Sequence, residues 1–291
     1  MSTPATDAWL AQRRGRMAAI LRAIGPLGIA SAVVIVVAII AAVAGGWLVP
    51  DNPDLPNLSL SFVGPTAGHL LGYDFEGRDV LSRLLAGAQT SMLGPIAVVC
   101  MSMTGGTLLA LLAAWRRGVT DAVISSGLDI LFAFPGILLA VMAAAVFGAG
   151  LWAAAIALAV AYMPYVARVL RGAALKERSL PYVAALEVQG APGTAICLRH
   201  IVPNVLPLIV AQATIMIGYA MVDLAAISFL GLGVQPPSAD WGVMIASGEP
   251  SILEGHPQQS LYAGILIVLT VCAFTILGER LTESDRDLVR V

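Results

Sequence analysis

The chain is short of charge. Asp, Glu, Lys and Arg make up 12% of its 291 residues, about half the usual share in soluble proteins, while apolar residues make up 58%. That balance excludes a water-soluble globule and equally a disordered or fibrous chain, and it makes the bilayer the main solvent. Lysine is nearly absent: fifteen of the sixteen basic residues are Arg and one is Lys176. With a formal net charge of −2, no basic field for nucleic acid remains. Cysteine is scarce, and Cys100, Cys197 and Cys272 lack metal-type spacing, so they read as small buried hydrophobes without disulfides. His69, His200 and His256 fall in three separate loops with no His-Glu-x-x-His or Cys-x-x-Cys pair, which argues against zinc. A phosphate cradle is missing too. Lys176 follows Ala173-Ala174-Leu175 rather than glycines, so the chain is not expected to hydrolyse ATP or to bind a cofactor of its own.

Long apolar runs are what it has in quantity. A helix crosses about 30 Å of hydrocarbon with about 20 residues. Six runs meet that length: 27–49, 92–115, 121–147, 151–168, 203–232 and 261–277. The expected fold is therefore all-α, a polytopic membrane protein with six transmembrane helices over 27–280. A cytoplasmic segment 1–26 precedes it and a cytoplasmic tail 281–291 follows. Basic residues of short loops stay on the cytoplasmic side, which tests both span number and direction. With both termini inside, Arg13, Arg14, Arg16, Arg22, Arg116, Arg117, Arg168, Arg171, Lys176, Arg178, Arg199, Arg280, Arg286 and Arg290 are internal. Only Arg78 and Arg83 fall outside, among eight acids. Five or seven spans would break this alternation. The first run, after Arg13-Arg14, resembles a signal sequence with a site at Ala42-Val43-Ala44, but it continues to Val49 and so reads as a retained anchor.

Three loops are long enough to do something. The external segment 50–90 opens with Pro50, Pro53 and Pro56 among Asn and Asp, a composition of turns rather than of a packed unit. From Asp79 it places Val80, Leu81, Leu84 and Leu85 on one face, the pattern of an interfacial amphipathic helix. The external segment 233–260 carries Trp241, expected at the lipid headgroups. In the internal segment 171–202, Ser179 as cap, Pro181 near the start and Gly190 as a left-handed stop predict a short helix over 182–189. Its apolar residues Tyr182, Val183, Leu186 and Val188 are more than a solvated loop needs, so the helix either folds back on the membrane or enters a groove on a partner.

Two acids sit inside apolar runs, Asp129 and Asp223, the latter near the middle of the fifth. An acid there is costly and is usually paired or functional. They read as polar contacts between spans, as points on a solute path, as a proton relay, or as a carboxylate dyad for intramembrane hydrolysis if both lie at one depth. Pro135, Pro164 and Pro207 are expected to kink their helices, and Gly105-Gly106 and Gly218 permit close helix packing.

Two long motifs then resemble a known family. The stretch from His69 through Gly72-Tyr73-Asp74-Phe75-Glu76-Gly77-Arg78-Asp79 to Ala88, and Ala225 through Ser228-Phe229-Leu230-Gly231-Leu232-Gly233 to Pro236-Pro237 and Trp241-Gly242, are similar to the C-type permease subunits of bacterial dipeptide and oligopeptide ABC importers. Nickel-chelate and glutathione importers use similar subunits. Tyr182-Val183, Gly190 and Ile201-Val202-Pro203-Asn204 follow the loop by which such permeases engage their ATPases. The resemblance covers about residues 20–280. It implies a type I ABC importer permease fold in the bacterial cytoplasmic membrane, in contact with lipid. The implied partners are a second homologous permease subunit, two cytoplasmic ATPase subunits holding ATP and Mg, and an extracytoplasmic peptide-binding protein. Coupling would fall to Tyr182, Val183, Ala185, Leu186, Glu187 and Gly190, and the translocation path to Asp223 and the lip near Gln235. One departure matters: the family's Glu-Ala-Ala aligns with Ala184-Ala185-Leu186, leaving either an apolar insertion alone or Glu187 as the acidic substitute. A proton-coupled secondary transporter using Asp129 and Asp223 is the alternative of another class.

Overall fold

The computed structural model describes the backbone of residues 4–289 and the side chains of residues 25–283. Arg13, Arg14, Arg16, Arg22, Arg286 and Arg290, part of the orientation count, lie outside the described side chains, as does most of the two terminal segments. Helix α1 (Pro4–Leu48) breaks at Gly25, where φ is 68°, and its apolar part is Gly25–Leu48. Helix α2 (Val80–Arg116) is one uninterrupted element. The expected interfacial helix is simply its first two turns, because Val80, Leu84, Ala88 and Met92 are buried against protein rather than laid on a bilayer surface. The third run is not one helix. Helices α3 (Gly118–Phe132) and α4 (Gly136–Phe147) meet at 80°, with Pro135 as the N-cap of α4. Proline offers no N–H and pushes its predecessor out of the helical region, which is why the break falls there.

Helix α5 (Leu151–Arg178) follows, then α6 (Pro181–Val188), the single turn α7 (Gly193–Ile196), a π-turn at Cys197–Ile201 and α8 (Val202–Phe229). Two short helices, α9 (Trp241–Ser247) and α10 (Glu249–Leu253), precede α11 (Gln258–Val289). Five helices are long and apolar enough to cross a membrane, and the bent α3–α4 pair supplies the sixth run. Among the described residues there is no strand, only isolated bridges at Thr66–His69 and Tyr73–Asp79.

Two apolar cores share α2. One joins α2, α5 and α8 through Val98, Leu158, Val166 and Ile227 and extends into the 171–202 loop through Val183 and Ile196. The other joins α1, α2, α8, α9 and α11 through Ile35, Met92, Met221, Met244 and Phe274. Gly106 permits the α2–α5 approach: a Cβ there would lie 2.6 Å from Val166 Cγ1. The outer face stays apolar, with Val33, Val37 and Ile40 of α1 more than half exposed, as a lipid-facing surface requires. Of the cysteines only Cys197 is buried; Cys100 and Cys272 face outward from their helices, so burial holds for one of three.

The segments 50–90 and 233–260 form a packed cap, where composition suggests loose turns. Asp74 accepts N–H bonds from Glu76 and Arg78, both 2.9 Å, and a 2.8 Å bond from Arg78 Nε. Arg83, 1% exposed, donates from Nη1 to Pro53 O at 2.8 Å and to Pro237 O at 3.4 Å, joining the two segments. Asp79 caps α2 by accepting from Ser82 N–H at 2.7 Å. Asp240 caps α9 through Gly242 and Val243 N–H and accepts from Ser91 O–H at 2.8 Å. Burial pushes its carboxyl above the ordinary range, against the opposing pull of those bonds. Trp241 is not at a headgroup surface. It is 2% exposed, and its indole N–H donates to Leu84 O at 2.9 Å, because residues 233–241 fold inward over α2. Turn composition registers the prolines but not that Asp74 pairs with Arg78 and Arg83 inside the cap.

Candidate functional site

Two places combine exposed polar groups with helix ends or gaps. The first is a cavity of about 710 Å³, open to one side, between the α3–α4 bend, α5 and α8. On α8, Gln212, Met216, Tyr219 and Asp223 follow one another at intervals of three or four residues and so share a face. On α5, Tyr162 and Tyr165 do the same. Tyr162 O–H donates to Asp223 Oδ2 at 2.8 Å, and Tyr165 O–H donates to Gln212 Oε1 at 3.2 Å. Phe132 and Phe134, each about half exposed, close the side formed by the bend. Among the described residues no Lys, Arg or His lines this cavity. Asp223 lies six residues from the end of α8, about 9 Å along its axis, rather than at mid-span.

The other path candidate does not join it. Gln235 turns back on its own loop, with Nε2 donating to Gly231 O at 2.9 Å and Gly233 O at 3.0 Å. Asp129 is separate as well: it pairs with Arg168 at 2.7 Å, while Asp121 takes both a bond from Arg171 Nε at 2.6 Å and an ion pair with its Nη2. Both arginines belong to α5. Tyr162, the partner of Asp223, and Arg168, the partner of Asp129, are six residues apart on that helix, about 9 Å in depth. The two aspartates therefore form no dyad, and among the described residues no hydrogen bond links them as a relay.

The second place is the loop around α6. The helix starts at Pro181 with Leu180 as N-cap. Ser179 is not its cap; it closes α5, its hydroxyl donating back to Lys176 O at 2.6 Å. The stop at Gly190 is as expected, with φ at 81°. Gly190 N–H bonds Glu187 O and Ala191 N–H bonds Leu186 O, the paired closure that a left-handed residue after a helix allows. The apolar face of α6 is already occupied. Val183 is 1% exposed, and Tyr182 and Leu186 pack on the core of α2, α5 and α8, so this face is not free to enter a partner's groove. Ala185, Glu187 and Gly190 remain exposed, together with Val188 at 90%.

Glu177, Arg178 and Asn204 fasten α6 to the spans, a role that the sequence by itself assigns to none of them. Glu177 Oε1, at the end of α5, accepts from Tyr182 O–H at 2.8 Å and from Asn204 Nδ2 of α8 at 2.7 Å. Burial, and then the Glu177 carboxylate, push the Tyr182 phenol above its ordinary pKa, so it remains a donor. Arg178 Nη1 donates to Ala114 O at 2.8 Å and Trp115 O at 2.5 Å, its guanidinium lies 4.3 Å over the Trp115 ring, and Nη2 is 3.7 Å from Glu187 Oε1. Thus α6 is tied to the ends of α2, α5 and α8 at once. The available signals were the adjacent Glu177-Arg178 pair closing an apolar helix and the tyrosines recurring at helical spacing in aliphatic spans.

The structure is a multi-span helical bundle with a lateral cavity and a helix fastened across three span ends, and the comparisons give its class, the membrane component of a transport system. The model of a family described as binding-protein-dependent transport system inner membrane component matches residues 106–284, and the chain belongs to that family. It is 35% identical over 258 residues to the probable D,D-dipeptide transport system permease protein of Escherichia coli, covering 89% of this chain and 86% of that one. It is 38% identical to a glutathione transport system permease protein of Pectobacterium atrosepticum, covering 76% and 73%, and 35% identical to a putative peptide transport system permease protein of Brucella suis, covering 86% and 84%. Among solved structures, the MetNI methionine ABC transporter shares its fold with TM-score 0.57 at 20% identity, covering 70% of this chain and 96% of that one.

Proposed function

We propose that the chain is a permease subunit of an ATP-driven importer of dipeptides, oligopeptides or closely related solutes, with both termini in the cytoplasm. A second, homologous permease supplies the facing half of the path, two ATPase subunits bind ATP and Mg and grip the exposed edge of α6, and an external binding protein delivers solute to the cap. The observation that carries the reading is the fastening of α6. A load applied to Ala185, Glu187 or Val188 reaches α5 and α8 through Glu177 and Arg178, and those two helices carry the Tyr162–Asp223 wall. Closure of the ATPases then tilts the wall and opens the cavity alternately to each side. The test is uptake of a labelled dipeptide into proteoliposomes holding the full complex with its binding protein. Uptake falls to background when the ATPases cannot hydrolyse ATP; uptake that persists overturns the reading.

A further inference from the structure

Helices α3 and α8 carry three acids, and one differs from the others. Asp121 and Asp129 each face an arginine of α5. Asp223 has no such partner: Tyr162 holds Oδ2, and among the described residues no hydrogen bond ends on Oδ1. The cavity it faces is lined by the rings of Phe132, Phe134, Tyr162, Tyr165 and Tyr219; among the described residues no basic side chain lines it, although Arg168, paired with Asp129, already stacks on Phe132 with its guanidinium 4.7 Å from the ring centre. A carboxylate at membrane depth is costly without a counter-charge. Aromatic faces attract cations and gain nothing from anions. One carboxylate oxygen without a donor among the described residues, and the π faces of Phe134, Tyr162, Tyr165 and Tyr219 over which no described cation lies, make a place for a positive group brought in from outside.

We propose that Asp223 and the surrounding rings form a way-station on the path for an ammonium group of the passing solute, such as the free amino terminus of a peptide or a basic side chain. This rests on the importer reading and adds the charge class of the group that the wall receives. The single hydrogen bond from Tyr162 fixes the carboxylate while leaving Oδ1 to the solute. One ion contact and open rings hold the group weakly enough for it to leave, as a conducting path requires.

The test uses the detergent-solubilised full complex and two probes of similar size, the butylammonium ion and neutral butyramide, whose binding is measured calorimetrically without any transport step. Wild type and Asp223→Glu bind butylammonium saturably and bind butyramide poorly, whereas Asp223→Asn binds butylammonium about tenfold more weakly, the effect of one charge contact. Tyr219→Leu keeps the carboxylate, removes an exposed ring and weakens butylammonium several-fold, which covers the case where the Asn variant fails to assemble. In proteoliposomes, Asp223→Asn slows dialanine at saturating binding protein about tenfold more than it slows N-acetyl-dialanine. Equal butylammonium binding by wild type and Asp223→Asn, or equal slowing of both peptides, overturns the proposal. Absence of ATP-driven uptake by wild type strikes the importer reading instead and leaves the binding comparison to decide this one.

Discussion

The cap formed by segments 50–90 and 233–260 and the loop around α6 are both tied down by an arginine that donates to main-chain carbonyls, yet they use it differently. In the cap, Arg83 is almost fully enclosed and Asp74, Asp79 and Asp240 are buried with it, so its polar groups look inward. In the loop, Arg178 is partly open, its acid partner Glu187 is nearly half exposed, and the next residue, Val188, projects outward. The cap is built to hold a shape. The loop is fastened on one side and bare on the other, the arrangement that the proposed coupling requires.

The contrast breaks most visibly at Arg83. Replacing it with Leu leaves Pro53 O and Pro237 O without a donor and removes a positive charge from beside Asp74, where breaking a buried pair costs about 3–5 kcal/mol. Thermal unfolding of the purified complex should shift well downward, with less assembled complex recovered. An unchanged midpoint would mean that the cap does not depend on its enclosed charges.

A smaller effect is expected at Asp240. The Ala variant loses the α9 cap, roughly 0.5–2 kcal/mol, and strands the Ser91 hydroxyl, while Asn keeps an acceptor for Gly242 and Val243 N–H and costs less. The pH dependence has a definite sign. Burial raises the folded carboxyl's pKa above its unfolded value, so folding takes up protons and stability falls as pH climbs from about 4 through the folded value. Asp240→Asn should flatten that slope, read from unfolding midpoints across the acid range. In both cap variants, uptake per assembled complex should remain close to wild type.

How much of this was legible beforehand depended on whether local chemistry decided the outcome. The apolar spans were, because apolar length is a property of the chain itself, and so was the Gly190 stop, since a left-handed residue after a helix favours glycine. The break at Pro135 was legible as a kink but not as an 80° bend, whose size is set by how α3 and α4 pack on α5. Trp241 misled because an indole near a span end reads as interfacial until Leu84 O, distant in sequence, is seen to receive its N–H. Val183 and Leu186 misled in the same way. Surplus apolar residues on a loop helix look like a docking face, and only the fold reveals that the chain's own core already covers them. At the wall, Asp223 stood out by charge, but Tyr162 and Tyr219 did not, because a tyrosine in a span is ordinary until it faces an acid.

The smallest structural change should produce the clearest functional split. Tyr182→Phe removes one hydroxyl that donates to Glu177; Asn204 still donates to the same oxygen, and the ring still packs on the core, so stability should fall by about 1 kcal/mol or less. If the loop around α6 were only another scaffold, the variant would transport as wild type does. If it conveys load, loosening α6 from α5 lets the helix yield when the ATPases pull, so ATP turnover persists while uptake per ATP drops. The ratio of dipeptide taken up to phosphate released, measured on the same proteoliposomes, separates the two. An unchanged ratio alongside an unchanged midpoint would place the loop with the cap, as architecture, and would move the search for the coupling contact to Arg178 and the end of α2.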